Sequence, residues 1–131
     1  MSNEKLILVI DDDEEILNLI EMILTNKNYK VETALTGEEG IKLAIKSHPD
    51  LILLDIMMPV MDGWEILKML HTEEKTRNIP VAMLTCKTDV KNKLIGLQEG
   101  AIDYITKPFS PEELTSRVES IFNIFKKGSA Q

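Results

Sequence analysis

A chain of 131 residues is one ordinary domain, large enough to bury about two-thirds of its surface without staples. Its 44% hydrophobic and 28% charged residues exclude a disordered chain, and its longest apolar runs, about five residues, fall far short of the roughly 20 that span a bilayer. With 22 acids against 15 bases the net charge is −7, which disfavours nucleic acid as a ligand of the domain itself, and the single cysteine, Cys86, excludes an internal disulfide and a cysteine-based zinc site.

The polar start, Met1-Ser2-Asn3-Glu4-Lys5, does not fit a signal peptide, and a cytoplasmic location is expected. Five short apolar or β-branched segments read as strands: Leu6–Ile10, Val31–Ala34, Leu51–Leu54, Val81–Leu84 and Tyr104–Thr106. The first, third and fourth are almost continuously apolar, as strands covered on both faces are. The second, Val31-Glu32-Thr33-Ala34, is mixed and suits an edge. Helical patterns fill the intervals. Glu14 to Asn26 sets Ile16, Leu19, Ile20, Ile23 and Leu24 on one side. Thr36-Gly37-Glu38-Glu39 is a capping box that opens the second helix. Asp62-Gly63-Trp64-Glu65 opens the third, which carries Ile66, Leu67 and Leu70. The fourth runs from about Thr88 to Gln98 and stops near Gly100, a glycine suited to a C-cap. Ser110-Pro111-Glu112-Glu113 opens the fifth, with proline at N1, and Leu114, Val118, Ile121 and Phe125 follow at helical spacing. Strand and helix thus alternate five times, (βα)5. That order predicts an α/β fold whose parallel five-stranded sheet lies between two helix layers. Residues 1–125 are expected to form one domain and 126–131 a tail or linker.

Ligands of an open parallel sheet bind beyond the carboxyl ends of its strands. There the chain carries Asp11, Asp12 and Asp13 after the first strand, Asp55 after the third, Thr85 after the fourth and Lys107 after the fifth. Singly, each has a bland reading: Asp13 and Asp62 are helix caps, and a lone threonine or lysine is a solvated surface residue. The combination is more informative. If the first and third strands are neighbours, two carboxylates 5 Å apart repel by about 3 kcal/mol at an effective dielectric of 20. Such a cluster calls for a cation or a raised pKa. Hard oxygen ligands suit Mg²⁺. Metal, Lys107 and Thr85 together would cradle a phosphoryl group, and a carboxylate could take that group as an acyl phosphate.

These residues resemble the receiver domain of two-component response regulators over about residues 5 to 125. The likeness rests on Asp11-Asp12, on Asp55 within the run from Leu53 to Gly63 that includes Met57, Pro59 and Asp62, on Leu84-Thr85-Cys86, and on the run from Gly100 to Phe109 with Tyr104, Lys107 and Pro108. It implies a flavodoxin-like three-layer sandwich of strand order 2-1-3-4-5. It also implies a signalling domain that catalyses only its own phosphorylation and dephosphorylation, not a metabolic enzyme. Asp55 is then the phosphoacceptor. Asp12 is a direct Mg²⁺ ligand, Asp11 acts mainly through a bound water, and Asp55 and the Met57 carbonyl complete the protein ligands. Lys107 pairs with the phosphate, Thr85 is the switch hydroxyl and Tyr104 the switch aromatic. The Lys107–Pro108 bond is expected to be cis. Met57 and Lys87 occupy positions that tune dephosphorylation. Cys86 departs from the small residue most usual there, but a thiol is small enough to leave phosphoryl access.

The phosphodonor implied is a sensor histidine kinase or a phosphotransfer protein. The output face, made by the fourth helix, fifth strand and fifth helix, carries Lys93, Asp103, Glu113 and Arg117, which match intersubunit ion-pair positions of the winged-helix transcription-factor subfamily. Ile102 departs from that pattern, and Leu94 and Ile95 would supply an apolar patch. A homodimer on phosphorylation is therefore expected, with neither membrane nor direct nucleic-acid contact by this domain, and the chain is either a stand-alone receiver or one joined to an output domain beyond the C-terminus. On composition alone the same face is a solvated charged surface. Two other functions stay open at this point: a receiver-like binding module that is never phosphorylated, and a Mg²⁺-dependent phosphatase of haloacid-dehalogenase type. For the latter, Asp11-x-Asp13 fits but Glu15 stands where threonine or valine belongs. A flavodoxin would share the sheet order, yet the acidic edge is wrong for a flavin phosphate.

Overall fold

The computed structural model describes residues 4–86 and 100–129. Five strands, β1 (Leu6–Ile10), β2 (Lys30–Ala34), β3 (Leu51–Asp55), β4 (Val81–Cys86) and β5 (Asp103–Lys107), form one parallel sheet of order β2-β1-β3-β4-β5. Four helices are described: α1 (Glu14–Thr25), α2 (Gly37–Ser47), α3 (Gly63–Thr72) and α4 (Pro111–Ser129), the last being the fifth helix expected from sequence. The expected helix over about Thr88 to Gln98 lies outside the described residues, together with Lys87, Lys93, Leu94 and Ile95. Gly100, just after it, has φ +98°, the left-handed conformation that a C-cap glycine supplies.

The layers follow from the period of two along strands that are apolar at every position. In β1, Ile7 and Val9 face one side and pack with Leu17, Ile20 and Leu24 of α1 and Leu114, Val118 and Ile121 of α4. Leu8 and Ile10 face the other side and pack with Ala44 of α2 and Ile66, Leu67 and Leu70 of α3. Both faces of β1 and β3 are therefore dry, while β2 sits at an edge with Lys30 exposed and Val31 to Thr33 half-buried.

Short polar side chains start the helices. The Asp13 carboxylate accepts from the amides of Glu15 and Ile16, Thr36 Oγ1 from the Glu39 amide at 3.1 Å and Asp62 Oδ1 from the Glu65 amide at 3.0 Å. Ser110 and Glu113 complete a reciprocal box: Ser110 Oγ accepts from the Glu113 amide at 3.1 Å, and Glu113 Oε1 accepts from the Ser110 amide at 3.3 Å. The structure extends four sequence-based boundaries. Strands β3, β4 and β5 run on to Asp55, Cys86 and Lys107, because the ladder continues past the last apolar residue of each. Helix α4 runs to Ser129, beyond residue 125, because Lys126 and Lys127 are good helix formers and no breaker precedes Gly128. Among the described residues no helix is long and apolar enough to cross a membrane.

Candidate functional site

The sheet order makes β1, β3, β4 and β5 consecutive, so their carboxyl ends form one edge. Asp11 follows β1 directly, its amide donating to the Ala34 carbonyl of β2 at 3.1 Å. Its side chain is fully buried. Oδ1 accepts from the Asp13 amide at 2.9 Å, and Oδ2 accepts from Lys107 Nζ at 2.8 Å. Asp55 ends β3, is buried, and accepts from the same Lys107 Nζ at 3.2 Å. Asp12 is exposed. One oxygen from each of Asp11, Asp12 and Asp55 lies within 4.8 Å of the others. The sequence-predicted carboxylates and ammonium thus converge.

Burial raises the Asp55 pKa to about 6, and the Asp11 charge, with a smaller contribution from Asp12, pushes the same way against the lowering effect of Lys107. For Lys107, burial alone would lower the pKa. The hydrogen bond it donates to Asp11 and the charges of Asp55 and Asp11 outweigh it, and the net direction is up. Lys107 therefore stays an ammonium between two carboxylates. Even so, two oxygens within 4.8 Å of each other still repel by about 3 kcal/mol at an effective dielectric of 20. This donor set of three hard oxygens, one exposed and two buried, fits a small divalent cation.

Thr85 is buried on β4, next to Leu84, which is the register partner of Asp55 on β3. Tyr104 aligns with Met83 on β4, and Thr106 with Thr85, so the Tyr104 and Thr85 side chains share a sheet face on adjacent strands. Tyr104 is already buried, packed into the cluster under α2 and α3. Met57 is 68% exposed at the rim. The Lys107–Pro108 bond is cis. The Cys86 side chain falls outside the described residues.

Of the four expected output-face residues, Asp103, Glu113 and Arg117 are described. Lys93 is outside the described residues, and Glu113 caps its own helix. Arg117 Nη1 lies 3.4 Å from Asp103 Oδ1 within one chain, where the sequence suggested a pair between subunits. These residues are fourteen apart on β5 and α4, a proximity that only the packed fold creates. Sequence reasoning also missed how the segment after Asp55 is held. The Ile56 amide donates to the Leu84 carbonyl at 3.2 Å, and the Gly63 amide donates to the Ile56 carbonyl at 2.9 Å. The Asp62-Gly63 pair was a signal only for a helix start.

The response regulator receiver domain model matches residues 7–119. The alkaline phosphatase synthesis transcriptional regulatory protein PhoP of Bacillus subtilis is 46% identical over 117 residues, 89% of this chain and 48% of that protein. The DNA-binding dual master transcriptional regulator RpaA of Synechocystis is 43% identical over 115 residues, 88% of this chain and 48% of its own length. The chain thus spans about half the length of the curated relatives it matches. Among solved structures, a CheY-like response regulator receiver domain protein from Methanospirillum hungatei superposes with a TM-score of 0.88 at 32% identity, covering 96% of this chain and 99% of the other. The chemotaxis protein CheY4 of Vibrio cholerae gives 0.85 at 33% identity, covering 89% and 98%.

Proposed function

The chain belongs to the response regulator receiver domain family of two-component systems, and from that premise we propose that Asp55 accepts a phosphoryl group from the phosphohistidine of a sensor kinase or phosphotransfer protein in the cytoplasm. In the transfer an Asp55 oxygen attacks phosphorus, the phosphorus–nitrogen bond breaks, and the departing imidazole regains a proton. The product is an acyl phosphate. One observation carries this reading: the Lys107 ammonium bridges the Asp55 and Asp11 carboxylates at the carboxyl edge of the sheet. With a pKa of about 6, the Asp55 carboxyl is mostly ionised, and so nucleophilic, at pH 7. Lys107 is positioned to leave Asp55 for a phosphoryl oxygen while keeping its bond to Asp11.

The residues fit Mg²⁺, which would neutralise charge between the carboxylates and the incoming phosphoryl group. Asp12, Asp55 and the Met57 carbonyl would hold it directly. Asp11 has both oxygens engaged by Lys107 and the Asp13 amide, which suits a water-mediated role. Thr85, next to the register partner of Asp55, would read the phosphoryl group. It would bias Tyr104 and the face around β5 and α4 between pre-existing arrangements, with the buried Tyr104 of this structure as one of them. Relatives that are transcriptional regulators of about twice this length suggest that the domain controls a DNA-binding output domain of the winged-helix class. A phosphorylation-strengthened homodimer would exchange the Asp103–Arg117 pair within each chain for pairs between chains. The pair is exposed, and such pairs are worth only about 0–1 kcal/mol, so the exchange is cheap.

Labelling with acetyl phosphate and Mg²⁺ tests the reading. One hydroxylamine-labile phosphoryl group is expected, absent from Asp55→Asn. An intact fold that takes no label under any donor would favour the never-phosphorylated binding module.

A further inference from the structure

We propose that Gly63 is a positioning residue for the metal site: its missing side chain lets α3 begin directly against the backbone of Asp55 and Ile56, which fixes the Met57 carbonyl in place. The proposal rests on the Mg²⁺ reading above. Residues 56–63 are closed into a ring by the bond from the Gly63 amide to the Ile56 carbonyl. On its other side Ile56 is tied to β4, its amide donating to the Leu84 carbonyl. A Cβ on Gly63 would press on the Asp55 carbonyl oxygen and lie 2.7 Å from Ile56 Cα. Both contacts are main chain, so no side chain can swing away.

The contact, not the backbone conformation, requires glycine here. Gly63 lies outside the left-handed φ range, and alanine is the better helix former. Absent the contact, Gly63→Ala should be neutral or stabilising. With it, something must move, and β3 is held by its ladder to β4. The displacement therefore falls on residues 57–62, which have little slack. Val60 sits at φ +69°, a costly conformation for a β-branched residue, and the Met61 amide is tied to the Pro59 carbonyl at 2.7 Å. Met57 is the first residue of this strained segment.

Gly37 supplies a control. The nearest neighbours of a Cβ there are side-chain atoms, Ile66 Cδ1 at 2.5 Å and Met61 Sδ at 3.2 Å, flexible groups that can give way without moving the main chain of Asp55 or Ile56. Mg²⁺ titrations followed by Trp64 fluorescence should show Gly63→Ala binding about tenfold more weakly or worse, as loss of a supporting contact does at metal sites. Gly37→Ala should keep the wild-type affinity even if it is less stable to urea. Wild-type Mg²⁺ affinity in Gly63→Ala, or an equal loss in Gly37→Ala, would overturn the proposal. Asp12→Ala separates the two readings. If it too binds Mg²⁺ normally, the metal assignment has failed; if it loses binding while Gly63→Ala keeps it, only the role of Gly63 has failed. Should Gly63→Ala not fold, amide exchange in the wild-type chain decides. Mg²⁺ should slow exchange at the Gly63 amide more than at the Gly40 amide of α2, which donates to the Thr36 carbonyl. Equal slowing at both would refute it.

Discussion

Replacing Asp55 with asparagine should stabilise the metal-free protein, and the gain should depend on pH in a defined way. The Asp55 carboxyl titrates near 3.8 when unfolded and near 6 when folded, chiefly because it is buried and secondarily because Asp11 faces it. Below pH 4 both states are protonated and no penalty exists. Between pH 4 and 6 the native state holds a proton that the unfolded state has lost, so wild-type stability falls as pH rises. Above pH 6 to 7 the penalty is complete. A rise of roughly two pH units corresponds to about 3 kcal/mol. Asparagine cannot ionise and escapes it. The stability of Asp55→Asn minus that of wild type should be level below pH 4, climb by about 3 kcal/mol towards pH 7, then level off. Urea melts with chelator present, followed by the single tryptophan, Trp64, would measure it. Saturating Mg²⁺ should shrink the climb, because the metal favours the ionised wild-type carboxylate. A difference that stays flat from pH 4 to 7.5, or falls, would refute the claim that Asp55 is held in a desolvated acidic pocket.

Asp12→Ala should weaken Mg²⁺ binding, measured by calorimetry, and should raise metal-free stability by no more than about 1 kcal/mol, since Asp12 is exposed. Lys107→Gln should strip the buried Asp11 of its ion-pair partner and destabilise the fold by about 2–3 kcal/mol, below the full cost of an orphaned charge because Lys107 is 22% exposed. Urea melts at pH 7 would check this, and phosphorylation should fall with it. Arg117→Glu should weaken the phosphorylated dimer in sedimentation, and Asp103→Arg added to it should restore part of the loss, in a cycle that reports coupling between the two positions.

Chemistry-bearing residues at strand ends were readable because each ends an apolar run, and the βα alternation set the edge they share. Which helices cover which face was not legible, because strands apolar at every position carry no inside–outside alternation, and it shows only in the packed clusters. Local caps were equally plain, since Thr36, Asp62 and Ser110 act within three residues of themselves. What escaped depends on distance in the chain or on backbone. No composition signal ties Arg117 to Asp103, and none shows that Val60 adopts φ +69°. The apolar run of β3 stops one residue before the strand does, because hydrogen bonding, which ignores polarity, carries the ladder through Asp55. The burial of Tyr104 is likewise a property of the packed sheet and of α2 and α3 beneath it.

The proposed chemistry places the acyl phosphate on one carboxylate, that of Asp55. Borohydride reduction of the phosphorylated protein, followed by peptide mass spectrometry, converts that residue alone to homoserine. Homoserine is expected at position 55, with Asp11 and Asp12 unmodified. Homoserine at either of those positions, or phosphate retained on a hydroxyl with position 55 intact, would contradict it.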